Sequence, residues 1–135
     1  MAKSYKLKDD NYIDSTGIMH NRENLKTKLN NFFNFSNYTN WNINTNYIPD
    51  KNGFTRFDVN SIFCFANFNF KITAQAPTGT VLLSNLPKPK NRITFCAALD
   101  STLVRLYIDT NGELRADGNI SVTGWLNCNI SYLLV

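Results

Sequence analysis

Histidine is almost missing from this chain: His20 is the only one in 135 residues. Nucleophilic catalysis by Ser or Cys wants an adjacent base, and His20 is distant in sequence from every cysteine. Cysteine is also scarce. Cys64, Cys96 and Cys128 form no CxxC pair, so with one histidine they do not supply the roughly four clustered ligands of a structural zinc site. Cys64 and Cys128 fall in phase with apolar neighbours and read as buried, reduced thiols. No GxSxG, HExxH or phosphate-binding glycine loop is present. Acids for glycoside hydrolysis exist in Asp58, Asp100, Asp109, Glu113 and Asp117, but they sit at expected strand ends and turns and read as surface groups. A non-enzyme without a cofactor or metal is therefore the expectation.

Long runs of any kind are lacking as well. No segment approaches the ~20 apolar residues of a membrane span, and no apolar signal core follows Met1. Synthesis in a cytoplasm, with no membrane insertion, is expected. The net charge is +4, spread over Lys3, Lys6 and Lys8, over Lys26 and Lys28, and over Lys88, Lys90 and Arg92. None of these groups is a block of about five or six like charges, so nucleic-acid binding is not expected. The segment Asp109-Thr110-Asn111-Gly112-Glu113 begins like a calcium loop. The twelfth position, where such a loop needs a bidentate acid, is Ile120, so a hairpin turn is the better reading.

Asparagine, by contrast, is abundant, at roughly one residue in six, several times ordinary usage. An AT-rich genome explains this, and so does a hydrogen-bonding surface; the two are compatible. Ten Phe and six Tyr add the bulk that sheets pack well.

The clearest pattern runs from Ile62 to Ala76. Ile62, Cys64, Ala66, Phe68, Phe70, Ile72, Ala74 and Ala76 alternate with Phe63, Phe65, Asn67, Asn69, Lys71, Thr73 and Gln75. Period-2 alternation describes a sheet with one dry face, as one long strand or as two joined at a bulge near Asn67. Further strands are predicted over 54–59, 80–85, 93–99, 103–108, 114–116, 120–122 and 126–134. Turn signals every 8–12 residues fit an antiparallel arrangement. The fold expectation is mainly β: a jelly-roll-like antiparallel β-sandwich head over 35–135. One short N-terminal α-helix precedes it as a shoulder over 21–34, capped by Asn21, and 1–20 forms a tail or docking segment.

The helix carries Leu25, Leu29, Phe32 and Phe33 as one apolar stripe and is too short to stand alone in water. Phe63 and Phe65 lie on the face opposite Phe68 and Phe70. These six residues are the candidate oligomer interface. Trp41, Tyr38 and Tyr47, with Asn42 and Asn44, are the candidate saccharide site, with aromatic faces for a sugar ring and amides for its hydroxyls. The competing and preferred placement for Trp41 is the core or a subunit contact. Trp125 is expected to cover one end of the head.

Several segments resemble the C-terminal domains of bacteriophage tail-fibre and baseplate proteins of low-GC hosts. They are Asn11–His20 followed by Asn21–Leu25, Thr78–Pro89, Leu106–Leu114 and Gly124–Tyr132, in that order. The resemblance implies a homotrimeric virion component made in the bacterial host cytoplasm. It would attach to a host surface, in this reading to a saccharide, and contact other virion proteins through its N-terminal segment. Two alternatives stand beside it: a capsid-associated head fibre or connector docking through residues 1–20, and a free-standing carbohydrate-binding module.

Overall fold

The computed structural model describes residues 5–6, 11–13, 19–21, 30 and 33–135. The chain divides into two compact units, Met1–Phe35 and Ser36–Val135. In the first, β1 (Tyr5–Lys6), β2 (Asn11–Ile13) and β3 (Met19–Asn21) form an antiparallel three-stranded ribbon, with Tyr12 opposite His20 and Lys6 opposite Tyr12. The expected tail thus contains sheet structure. The expected helix lies almost wholly outside the described residues, as do Leu25, Leu29 and Phe32. Asn34 donates its backbone N–H to the Asn30 carbonyl at 2.8 Å, the one helical bond described there.

The second unit is a nine-stranded antiparallel sheet curled into a half-barrel. Its strands are β4 (Ser36–Tyr38), β5 (Asn42–Ile43), β6 (Arg56–Val59), β7 (Phe63–Ile72), β8 (Val81–Ser84), β9 (Ile93–Leu99), β10 (Thr102–Ile108), β11 (Leu114–Ala116) and β12 (Gly124–Leu133). They lie in the order β4-β6-β7-β12-β9-β10-β11-β8-β5. The hydrogen-bonded ladder is continuous across all nine, where the sandwich expectation had two facing sheets. The curl encloses the core on the sheet's own concave side and brings its edges toward each other. The Tyr38 hydroxyl on edge strand β4 donates to the Asn85 carbonyl beyond β8 at 2.8 Å, and the Asn85 amide donates to the Asn40 carbonyl at 2.6 Å.

The alternation from Ile62 resolves as one unbroken strand. All ten residues of β7 pair with β12, from Phe63 opposite Leu133 to Ile72 opposite Gly124, with no bulge at Asn67. Cys64, Ala66, Phe68, Phe70 and Ile72 are buried, as the period predicts. Phe68 is the centre of an aromatic cluster, edge-on to Phe57 at 5.5 Å and to Phe70 at 6.4 Å, and stacked on Phe95 at 5.8 Å. The predicted strand over 120–122 contracts to a single bridge, Ile120 opposite Ala76.

Turn chemistry fits the sequence. Gly112 adopts φ 83° in the Asp109–Glu113 hairpin, and a Cβ there would stand 2.5 Å from the Leu86 carbonyl oxygen, so both the conformation and the space require glycine. Asp100 takes φ 49° between β9 and β10; its backbone N–H donates to the Trp125 carbonyl, and its carboxylate accepts the Trp125 N–H at 3.2 Å. No polar or charged residue is buried among the described residues.

Candidate functional site on the outer sheet face

The solvent side of β4, β6, β7 and β12 carries a groove of about 920 Å³. Antiparallel register builds it in two rows. Asn37, Asp58, Phe65 and Ser131 lie side by side across the four strands, and Arg56, Asn67 and Asn129 form the row beside them. On β6 and β7 these positions point outward because the alternating residues, such as Phe57 and Ala66, are buried in the core; on β4 and β12 the alternating Tyr38, Cys128 and Ile130 pack partly against it. Phe54, 81% exposed, and Phe65, 49% exposed, give the groove aromatic surface.

Asparagine side chains shape the groove where the backbone ladder stops. The pairing of β6 with β7 ends at Arg56 opposite Asn67. Beyond it, the Asn67 amide donates to the Phe54 carbonyl at 2.7 Å, and the Asn69 side-chain carbonyl accepts the Phe54 N–H at 2.9 Å. The Asn69 backbone N–H donates to the Thr55 hydroxyl at 2.9 Å. These amides hold the segment bearing Phe54 against β7 in place of main-chain bonds. Asn69 also donates to the Asn127 side chain across the β7–β12 pair.

The charges are locally compensated. Arg56 Nε contacts both carboxylate oxygens of Asp58, at 2.9 and 3.1 Å, an ion pair between two outward positions of one strand. Lys51 sits 4.2 Å over the Trp41 ring centroid, and its ammonium donates to the Trp41 carbonyl. Among the described residues Asp58 is the one acid lining the groove. Retaining and inverting hydrolysis both use two carboxylates, and the described residues of the groove supply one. No cluster of metal-ligating side chains occurs among the described residues.

The sequence-predicted saccharide residues are not gathered into one site. Trp41 lines the groove but is 8% exposed, its ring edge-on to Phe57 at 5.8 Å, so it serves the core in the placement preferred from sequence. Tyr38 and Tyr47 are partly buried against the core. Asn42 is exposed on β5 opposite Ser84. The Asn44 amide is used internally, donating to the Val81 carbonyl at 2.8 Å, while its side-chain oxygen accepts the Asn46 N–H. Of the candidate interface residues, Phe33 is 70% exposed, Phe63 is half-buried at the end of β7 and Phe65 lines the groove.

Sequence reasoning passed over Phe54, Asn67 and Asn129. A signal existed: Asn67-Phe68-Asn69 and Asn127-Cys128-Asn129 are matching Asn-x-Asn triplets on two strands of opposite direction, and they pair directly.

The thiols play no part in the groove. Cys64 is fully buried, and burial pushes its pKa up to about 11. The Tyr132 phenol, buried beside it, is also raised by desolvation, and its hydroxyl donates to the Pro87 carbonyl at 2.9 Å. Desolvation raises Cys128 as well, and all three cysteines are free. Elsewhere on the surface, Arg92 pairs with Asp109 at 3.0 Å, which lowers the carboxyl pKa.

Comparison of the chain with protein-family models, with curated proteins and with solved structures gives no match. The groove's own residues therefore carry the functional argument.

Proposed function

We propose that this chain is a non-catalytic attachment module that binds a saccharide in the groove across β4, β6, β7 and β12. The observation supporting this most directly is the groove's composition: the exposed side-chain amides of Asn37 and Asn129, flanking an Asn67 whose amide holds the Phe54 segment, beside the exposed rings of Phe54 and Phe65. An amide both donates and accepts, as a sugar hydroxyl requires, while a phenyl ring stacks on the C–H face of a pyranose. Concave size also favours a small ligand, since binding pockets commonly measure about 300–1,000 Å³. The resemblance to phage tail-fibre and baseplate domains extends the reading to a homotrimeric virion component that attaches to a host surface.

A glycan array probed with the wild-type chain and with Asn129→Ala tests the proposal. Asn129 is exposed opposite Asn67, so its truncation leaves the core intact. Saturable binding that weakens about tenfold in the variant is expected, a change of about 1.4 kcal/mol. An array without signal overturns the saccharide reading. Light scattering on the same preparation should give three times the 15.4 kDa chain mass; a monomer removes the trimeric fibre part and leaves the groove reading standing.

A further inference from the structure

We infer that the groove's ligand is a linear, β-1,4-linked oligosaccharide laid along β12, with Trp125 as a second aromatic stop outside the groove. This rests on the saccharide reading above. The outward positions of β12 run Trp125, Asn127, Asn129, Ser131, and opposite them on β7 stand Lys71, Asn69, Asn67 and Phe65. The groove itself takes in only the half with Asn67, Asn129, Phe65 and Ser131. Past its rim comes the exposed Asn127, held by the Asn69 amide, whose own oxygen accepts the Phe54 N–H, and then Trp125, 37% exposed. Aromatic surface thus bounds an amide ladder at both ends.

Spacing decides the ligand's length. Six residue steps lead from Trp125 to Ser131, which stands opposite Phe65, and at ~3.4 Å per residue the two aromatic ends stand about 20 Å apart, a span for roughly four or more sugar units. A disaccharide reaches one end or the other. An unbroken ten-residue strand pair, with no register shift, suits an extended β-1,4 chain better than a coiled α-linked one. The asparagine positions of β7 and β12 are uncharged, with Lys71 at one end and the Arg56–Asp58 ion pair beside the other. Trp125 is held in place before any ligand arrives. Its backbone N–H donates to the Asp100 carboxylate, which anchors the main chain there, and its ring lies against Gly53, where an added Cβ would meet Cζ3 at 3.1 Å. A fixed ring loses little freedom on binding.

The test is calorimetric titration of the full chain with cello- and chito-oligosaccharides of two and six units, for wild type, Trp125→Ala and Trp125→Phe. We expect the six-unit sugar to bind wild type about tenfold tighter than the two-unit sugar. Trp125→Ala should abolish that advantage without changing disaccharide affinity, and Trp125→Phe should restore part of it, which a merely misfolded variant would not do. Equal affinity for both lengths in wild type, or a Trp125→Ala loss shared by both, overturns the inference while the groove reading stands. Binding of other array sugars but neither of these series overturns the β-1,4 ligand alone, and absence of binding to every sugar overturns the groove reading itself.

Discussion

Phe65 and Phe68 share a residue type and a strand, three positions apart on opposite faces, so truncating each in turn measures what the curl of the sheet protects. Phe68 is fully buried, with ring neighbours Phe57, Phe70 and Phe95 all within 6.4 Å. Replacing it with alanine removes the ring's transfer energy and opens a cavity that three aromatic neighbours cannot readily fill, a loss of about 3–5 kcal/mol. Against a total stability of about 5–15 kcal/mol, that is a large share. At roughly 4–8 °C per kcal/mol for a domain of about this size, the melting temperature should fall by at least about 12–20 °C. Phe65 keeps 49% of its surface exposed, so Phe65→Ala forgoes roughly half of a buried phenylalanine, about 1 kcal/mol. Urea unfolding followed by tryptophan fluorescence reads both variants, because Trp41 packs edge-on against Phe57 and loses that contact on unfolding. Repeating the titration at two protein concentrations separates folding from assembly. Equal losses for the two variants would refute the assignment of faces along β7.

Two further predictions concern the core and one turn. Below about pH 9 the Cys64 thiol is protonated whether the chain is folded or not, so it adds no pH dependence; between 9.0 and about 11 the unfolded chain releases the proton and the folded chain retains it. Stability should then fall as pH rises through that window, by at most about 1.4 kcal/mol per unit. The raised Tyr132 phenol acts with the same sign. Urea midpoints at pH 8, 9.5 and 10.5 should show a steeper decline for wild type than for Cys64→Ala, and matching slopes would count against a buried thiol. Gly112→Ala should lose about 1–3 kcal/mol in thermal melts, from the positive φ and the 2.5 Å approach to Leu86; an unchanged melt would mean that the hairpin does not need this conformation.

Much of the sheet was legible residue by residue. The strands predicted over 93–99 and 114–116 coincide with β9 and β11, and the inward set Leu126, Cys128, Ile130, Tyr132 follows the period that β12 shows. The candidate site was far less legible. Trp41 and its asparagine neighbours look like a sugar site in one dimension, yet the ring turns into the core and the Asn44 amide caps backbone groups. Asn67 and Asn129, by contrast, are 62 positions apart in the chain and become neighbours only through strand pairing.

By itself, then, the sequence determined which side chains of the long strands are dry and where the chain turns. Those are local properties: a strand's period of two and a glycine's freedom at positive φ act over a handful of residues. Tertiary structure decided that β12 lies between β7 and β9, that nine strands form one curled sheet, and that two asparagine triplets meet as a ladder beside Phe54, Phe65 and Trp125. Strand order depends on which distant segments bury the most apolar surface together, a competition over the whole chain that no short window of residues encodes.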